Sequence, residues 1–295
     1  MSDKSQPKPK NKNKSQIAEA KETDETQQSQ QTKGPLVHLV ISAAKADTFQ
    51  QIFQNVKLFT EHVTLYFESG RFFLQTMDHS HVSVVECVLP AAWFDTYELQ
   101  QPVKMGLNVL LLSKILSTRD KQCNIVIDMQ DTDTLTLHFP GDTLVSREFD
   151  MPLMELDTDL LDIPEQEYDA DVAMPSVHFA ELVQQLRLFG DTLDMQCSEE
   201  RIAMNSVSLD KGRMRSHIDI AKLTSYSIVE EAVIRMSFAL TYLGHICAFH
   251  KLAQIVEIKV KAEQPLQVTY LLQGVVGAHM RFYLAPKLSD DDDEM

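Results

Sequence analysis

Apolar residues along this chain recur at two spacings: every second position, as in strands, and every third to fourth position, as in helices. The helical spacing predicts four helices, at residues 47–59, at about 108–117, at 177–189 and at about 239–249. Asp47 is expected to cap the first helix, because a short acidic side chain accepts hydrogen bonds from the free N–H groups at a helix start. A strand at residues 103–107 leads into the second helix.

Short β-rich runs fill the rest of the chain. Before the middle of the chain they predict further strands at residues 36–42, 63–68, 72–76, 83–89, 124–129, 134–139 and 145–151, with a hairpin turn at Ser69 and Gly70. After it they predict strands at residues 169–174, 192–198, 201–207, 214–220, 232–237, 254–262, 266–272 and 278–284. Each half is therefore expected to hold two helices and about eight to nine strands.

The two halves repeat one apolar pattern, at shifts of about 130 and 131 positions, which indicates a duplicated domain. The first set pairs Phe49, Ile52, Phe53, Val56 and Phe59 with Phe179, Leu182, Val183, Leu186 and Phe189. The second set pairs Met105, Leu107, Val109, Leu112 and Ile115 with Met236, Phe238, Leu240, Leu243 and Ile246. The alternative is a pair of unrelated α+β domains.

Between the halves lies the segment LDTDLLDIPEQEY, at residues 156–168, which has few β-formers, several carboxylates and one proline. We interpret it as part of a connector. The chain then divides into a Lys/Gln-rich extension at 1–35, a first domain at 36–152, the connector at 153–168, a second domain at 169–288 and an acidic tail at 289–295. The extension and the tail are expected to be disordered, because they lack the apolar residues that would offset the entropy lost on ordering.

The 295-residue chain has a formal net charge of −16, which argues against nucleic-acid binding if the charge is spread evenly. However, cations are concentrated on and just after the predicted helices, and the second and fourth helices contain no acidic residue. If the four helices share one surface, that surface is weakly positive and suited to phosphate contacts that do not read sequence. The alternative is that these are ordinary cations on solvated helix faces.

The sequence indicates no catalytic or cofactor site. Asp78, His79, Ser80 and His81 are adjacent in MDHSHV, but neighbours in one loop point in different directions, whereas catalytic triads are assembled from distant segments. We therefore expect no enzyme activity, no cofactor and no metal. No apolar run approaches the ~18–20 residues of a membrane helix, so no membrane partner is expected, and the four separated cysteines are expected to be buried thiols.

Several stretches resemble the proliferating cell nuclear antigen family, the eukaryotic and viral DNA sliding clamps. They are LQTMDHSHVSVVECVLPAAWFDTY at residues 74–97, KMGLNVLLLSKIL at 104–116, LMELDTDLLDIPEQEY at 153–168, MPSVHFAELVQQLRLFGD at 174–191 and RFYLAPKL at 281–288. The resemblance implies an α+β fold of two tandem clamp domains in a homotrimeric ring, with helices lining a central hole and antiparallel sheets outside. It implies a DNA polymerase processivity factor that encircles double-stranded DNA, is placed there by a clamp loader, and recruits DNA replication and DNA repair proteins. Its location would be the nucleus or a site of viral DNA replication.

The resemblance also assigns site residues by position. A pocket under the connector would take partner peptides of the pattern Q-x-x-aliphatic-x-x-aromatic-aromatic, and its lining would be Met77, His81, Val82, Val84, Leu161, Ile163, Pro164, Pro265, Tyr283, Ala285 and Pro286. The DNA-facing cations would be Lys57, Lys114, Arg119, Arg187 and Lys251. Ring closure would join edge strands at residues 144–153 and 213–222, with Arg147, Phe149, Arg213 and Arg215 at the subunit interface.

Two rival hypotheses stay open from the sequence. A divergent clamp paralogue would act in a hetero-ring or as a monomeric processivity factor, and self-association distinguishes it from a homotrimer. A nuclease that uses the surroundings of Asp78 and His81 would cleave labelled DNA when magnesium or manganese is added.

Overall fold

The computed structural model describes residues 34–142, 144–157 and 159–287. In this part of the chain, the first half holds β1 (Val37–Ile41), α1 (Ala43–Val56), β2 (His62–Glu68), β3 (Arg71–Met77), β4 (Ser83–Pro90), β5 (Thr96–Leu99), β6 (Val103–Asn108), α2 (Val109–Ser117), β7 (Ile125–Met129), β8 (Thr134–His138) and β9 (Glu148–Pro152). The second half holds β10 (Ala170–Pro175), α3 (Ser176–Leu186), β11 (Thr192–Cys197), β12 (Ile202–Ser208), β13 (Gly212–Ile218), β14 (Ser225–Ile228), β15 (Ile234–Ala239), α4 (Leu240–Cys247), β16 (Ile255–Val260), β17 (Leu266–Leu271) and β18 (His279–Leu284). The predicted acidic tail, and the predicted extension before residue 34, lie outside the described residues.

The described strands form three antiparallel sheets, and their orders confirm the predicted duplication. The orders are β5-β1-β7-β8-β9, β14-β10-β16-β17-β18-β4-β3-β2-β6, and β13-β12-β11-β15. The run β14-β10-β16-β17-β18 in the second half repeats β5-β1-β7-β8-β9 in the first. Likewise, β13-β12-β11-β15 repeats β4-β3-β2-β6. The fold is therefore α+β, with two halves of the same topology.

A single strand pair joins the two halves into the nine-stranded sheet. β18 of the second half pairs with β4 of the first, with Tyr283 opposite Val84 and Arg281 opposite Glu86. The counterparts of these two strands in the repeat, β9 and β13, each lie at a sheet edge in the described part of the chain. The pair of β18 and β4 thus forms the joint between the halves, whereas the equivalent strands β9 and β13 are each open on one side.

The four helices of the described chain form one continuous set of contacts. α1 packs against α2, and α3 packs against α4. The 3-10 turn at Ala248–Leu252, which follows α4, packs against both α1 and α3. Asn55 Nδ2 donates to the carbonyl oxygen of Ala248 at 3.0 Å, and the ring of Phe59 lies 6.3 Å from that of Phe249. The helices therefore share one layer, which is the condition for the weakly positive helix surface that the sequence predicts.

The start of α1 differs from the prediction. The helix begins at Ala43, so Asp47 lies inside it and the predicted capping role is wrong. The N–H group of Ala43 donates instead to Asn124 Oδ1 at 2.9 Å. The local signal for this start was Ser42, which directly precedes the helix and is of a residue type that favours this position.

Smaller differences concern edges and ends. β5 and β14, which were not predicted, are four-residue strands at sheet edges with little apolar content. β9 begins at Glu148 rather than at residue 145, and α3 ends at Leu186 rather than at residue 189. Short edge strands carry a weak apolar signal because only one side of the strand is paired.

The four cysteines are buried and free, as predicted. Burial raises the pKa of the Cys197 thiol to about 11, which keeps it protonated at neutral pH. No helix among the described residues is long and apolar enough to cross a membrane.

Candidate functional site

Outward-facing side chains of β3, β4 and β18 form rows across the joint between the halves. Directly opposed residues of an antiparallel pair lie on the same face, about 4.5–5.5 Å apart. Val84 of β4 is opposite both Met77 of β3 and Tyr283 of β18, so these three half-buried side chains form one row. In the neighbouring row, the N–H of Ala285 donates to the carbonyl oxygen of Val82 at 2.9 Å. Five predicted pocket residues are therefore adjacent.

A buried aspartate shapes the loop between β3 and β4, beside this row. Asp78 Oδ1 accepts from the N–H of Val82 at 2.9 Å and from the N–H and hydroxyl of Ser83 at 2.5 and 3.0 Å, while Oδ2 accepts from the N–H of Ser80 at 2.7 Å. His81, another predicted lining residue, is exposed in this loop with a φ of 57°. Burial alone would raise the pKa of Asp78, but these hydrogen bonds together lower it. Both carboxylate oxygens are thus engaged by the loop itself.

Asp78→Ala is expected to lower the free energy of unfolding by about 2 kcal/mol at neutral pH, because hydrogen bonds to an ionised acceptor are stronger than neutral ones. The folded-state pKa is lowered, so this stability is present above the unfolded-state pKa of about 3.9 and is lost as the pH falls through the folded-state value. Urea unfolding from about pH 7 to about pH 3 measures both effects. Asp142→Ala, at an exposed position, is the control. A deficit that stays constant down to the lowest pH contradicts this role of Asp78.

The connector crosses the outer face of the sheet next to this row. Its described residues contain no helix and no strand, apart from one isolated bridge near its start. The N–H of Leu161 donates to Gln75 Oε1 at 2.7 Å, and the carbonyl oxygen of Leu161 accepts from Gln75 Nε2 at 3.1 Å. Near the end of the connector, the hydroxyl of Tyr168 donates to Gln267 Oε1 at 2.8 Å. Side chains of the sheet therefore hold the connector at two points, through the backbone of Leu161 and the side chain of Tyr168.

Connector and sheet border an open cavity of about 490 Å³. Three predicted pocket residues, Leu161, Ile163 and Tyr283, line it. Tyr283 also ends the row of Met77 and Val84, so it links the cavity to the rest of the predicted pocket. The other eight predicted lining residues are not part of the cavity wall. Five of them belong to the row, its neighbouring row and their loop, Pro164 is exposed elsewhere on the connector, and two prolines are half-buried: Met77, His81, Val82, Val84 and Ala285, then Pro164, then Pro265 and Pro286.

Four of the five predicted DNA-facing cations are exposed on the helix layer. Lys57 and Arg187 follow the last turns of α1 and α3, Lys114 lies in the last turn of α2, and Lys251 lies in the 3-10 turn after α4. A cation near a helix C-terminus also interacts favourably with the helix dipole. The layer that joins the two halves thus presents positive charge to solvent.

Arg119 is not available to a DNA phosphate, so this part of the prediction is wrong. Its side chain is 1% exposed and forms an ion pair with Asp47 of α1. Its Nη1 donates to the carbonyl oxygens of Asp120, Lys121 and Cys123 at 3.2, 3.1 and 2.9 Å. The guanidinium therefore stabilises the loop after α2 from inside.

β9 lies at an open edge and presents acidic side chains. Glu148 and Asp150 are exposed on one face of the strand. On the other face, the ring of Phe149 lies 5.7 Å from that of Phe139. Arg147, just before the strand, donates from Nη1 to Asp120 Oδ2 at 2.9 Å and is thus engaged within its own chain. The outward face of this edge is negative.

β13, the edge that corresponds to β4 in the repeat, presents basic side chains. Arg213, Arg215 and His217 are exposed on alternate positions of the strand. Aliphatic side chains are also exposed near the two edges, at Leu144 and Val145 before β9 and at Val207 and Leu209 before β13. The outward face of this edge is positive, opposite to that of β9.

Comparisons with known proteins identify the family. The model of the N-terminal domain of proliferating cell nuclear antigen (PCNA) matches residues 39–161, and the model of its C-terminal domain matches residues 162–287. The chain belongs to the PCNA family. A crystal structure of proliferating cellular nuclear antigen from Entamoeba histolytica matches with a TM-score of 0.76 at 21% identity, covering 86% of this chain and 100% of that chain. This second likeness concerns the fold.

The PCNA-family assignment fits the internal repeat, because the two domain models meet between residues 161 and 162, inside the connector. PCNA-family clamps are non-catalytic scaffolds, which agrees with the engagement of Asp78 by its own loop. What sequence reasoning missed is a second row, formed by Gln75, Glu86 and Arg281, which lines the cavity under the connector. The only local signal was their polar character at outward-facing strand positions, since their neighbours are set by strand register.

Proposed function

We propose that this protein is a DNA sliding clamp that forms a homotrimeric ring around double-stranded DNA. The ring acts as a processivity factor for a DNA polymerase and is placed on DNA by a clamp loader. It also recruits replication and repair proteins through the pocket beside the connector, residues 153–168. The observation that carries this proposal is the pair of open edges, β9 and β13.

These edges allow the joint inside the chain to be repeated between chains. Within the chain, β18 pairs with β4. By strand order, β9 corresponds to β18 and β13 corresponds to β4. Pairing β9 of one chain with β13 of the next gives the order β5-β1-β7-β8-β9-β13-β12-β11-β15, which repeats the nine-stranded sheet. Such a head-to-tail contact generates a ring when its rotation closes, and the PCNA family supports closure with three chains.

The charges of the two edges support this pairing. Glu148 and Asp150 on β9 would meet Arg213 and Arg215 on β13 of the next chain. Opposite charges across an interface favour the correct partner and speed its encounter. The pairing also covers backbone groups that an open edge strand exposes.

The helix layer supports DNA as the occupant of the ring. Its cations, at Lys57, Lys114, Arg187 and Lys251, contact phosphates without reading bases, which suits a protein that slides. The net charge of −16 means that the remaining surface repels DNA. Binding is then weak and confined to the layer of helices.

Lys57→Ala combined with Lys114→Ala is expected to weaken binding to a short linear duplex several-fold. Each phosphate contact contributes about 0.9 to the slope of log affinity against log salt, so the slope should shrink by about two. Fluorescence anisotropy at a series of salt concentrations measures it. Lys104→Ala, an exposed lysine on β6, is the control and should leave the slope unchanged. An unchanged slope in the double variant would show that Lys57 and Lys114 do not contact DNA.

Light scattering on a size-exclusion column, at two salt concentrations, tests the proposed ring. Three copies of the 33.5 kDa chain give about 100 kDa. A mass equal to that of a single chain would exclude the homotrimer and favour a clamp paralogue that acts in a hetero-ring or as a monomer. The proposed location, the nucleus or a site of viral DNA replication, follows from the same role and is tested by imaging a tagged protein.

A further inference from the structure

We propose that Gln75 positions the connector over the partner pocket by holding the backbone of Leu161. This inference rests on the proposed function, because the pocket is the one assigned there to partner peptides. Gln75 lies at the base of the cavity that Leu161 also lines, and it is a positioning residue because it acts by holding the connector wall.

Gln75 bonds to both backbone polar groups of one connector residue. Its Oε1 accepts from the N–H of Leu161 at 2.7 Å, and its Nε2 donates to the carbonyl oxygen of Leu161 at 3.1 Å. A neighbouring strand would satisfy a residue of an antiparallel pair in the same way. The side chain therefore substitutes for a strand partner where the connector has none of its own.

Glu86 fixes the orientation of the Gln75 amide. The two residues are opposite each other on β3 and β4, and Gln75 Nε2 donates to Glu86 Oε1 at 3.0 Å. If the amide turned over, its oxygen would face the carboxylate and its NH₂ group would face the N–H of Leu161, so all three bonds would be lost. Glu86 is in turn opposite Arg281 of β18. The connector is thus tied to the strands that join the two halves.

The residue that Gln75 holds lies at the pocket. Leu161 and Ile163 line the same cavity as Tyr283. Gln75 and Met77 are two positions apart on β3 and face the same side, so the contact to Leu161 lies about 7 Å from the apolar row. Gln75 therefore fixes the position of the connector relative to Tyr283.

Loss of these bonds should weaken partner binding, because the partner must then order the connector itself. We expect Gln75→Leu to raise the Kd for a fluorescein-labelled peptide that contains QSSLSSFF by about five- to tenfold. In the full-length protein without peptide, hydrogen exchange at the amide of Leu161 should accelerate by about tenfold or more, whereas amides of the central strand β17 should keep their protection.

A rescue pair separates positioning from general damage. Gln75→Glu removes the Nε2 donor and places a second carboxylate beside Glu86, so it should weaken binding at least as much as Gln75→Leu. Adding Glu86→Gln supplies an NH₂ donor to the new carboxylate, which can still accept from the N–H of Leu161. This double variant restores two of the three bonds but leaves the carbonyl oxygen of Leu161 without its donor. It should therefore recover part of the Leu161 protection and give a Kd between those of Gln75→Glu and the wild type. Glu86→Gln alone reports the effect of lost charge beside Arg281.

Gln100→Leu is the matched control, because Gln100 Nε2 also donates to a backbone carbonyl, that of Pro35, at 3.2 Å. It should leave both the peptide Kd and the exchange at Leu161 unchanged. If the wild type binds the peptide and Gln75→Leu binds it equally well, the inference is overturned while the pocket stands, whatever happens at Leu161. If the wild type does not bind the peptide at all, both the proposed partner pocket and the positioning role of Gln75 are overturned.

Discussion

Reversing the charge of β9 is expected to separate the ring into single chains. Glu148→Arg combined with Asp150→Arg places two cations on an edge that, in the proposed joint, faces Arg213 and Arg215 of the next chain. Like charges across an interface cost several kcal/mol, so the association should weaken by more than about 100-fold. Light scattering should then give a mass near 33.5 kDa in place of about 100 kDa.

Reversing the other edge provides the decisive control. Arg213→Glu combined with Arg215→Glu should break the joint alone, but the four substitutions together restore opposite charges with the sides exchanged, and the ring should reform. Glu200→Arg combined with Glu230→Arg adds the same charge at exposed turn positions and should leave the mass unchanged. A ring that survives reversal of β9 excludes this joint. A ring lost in the turn variant assigns the effect to net charge.

The duplicated fold could be predicted because burial imposes its period on the local sequence. α1 buries Phe49 and Phe53, and α3 buries Phe179 and Val183, at the positions where the two apolar patterns coincide. Helix packing against a sheet needs an apolar stripe whatever the neighbouring residues are. The order of elements and their repetition were therefore visible without any knowledge of contacts.

Features that depend on remote contacts could not be predicted in this way. Arg119 follows α2 near Lys114 and Lys121, and local charge suggested that it faces solvent. It is buried because Asp47, on another helix, and nearby backbone carbonyls bind its guanidinium. The same holds for Gln75, whose partner is a connector residue far along the chain.

The pocket was located through the family resemblance rather than through the residue pattern. Met77, Val84 and Tyr283 come from three strands, and their adjacency depends on the registers of β3 with β4 and of β4 with β18. A one-residue slip in either register would turn one of these side chains to the opposite face. Apolar alternation shows that a strand has two faces, but it does not show which residues of another strand lie beside it.

Tyr283→Ala is expected to remove most of the affinity for partner peptides. Tyr283 is half-buried, lines the cavity with Ile163 and ends the row of Met77 and Val84, so its ring is shared by the cavity and the apolar row. Removing such a central aromatic residue typically costs at least about 2 kcal/mol, or about 30-fold in Kd. Anisotropy with the QSSLSSFF peptide measures the loss. Tyr283→Phe, which keeps the ring, should stay within about threefold.

Two readouts separate the pocket from the ring and from the helix layer. The mass of Tyr283→Ala should remain that of the wild type, because β18 is paired on both sides and takes no part in the proposed joint. Tyr242→Ala, at a half-buried tyrosine on α4, should leave peptide affinity unchanged. If Tyr283→Ala binds the peptide like the wild type while Tyr242→Ala does not, partners dock on the helix layer. The connector would then have another role, because a peptide on that layer would compete with DNA.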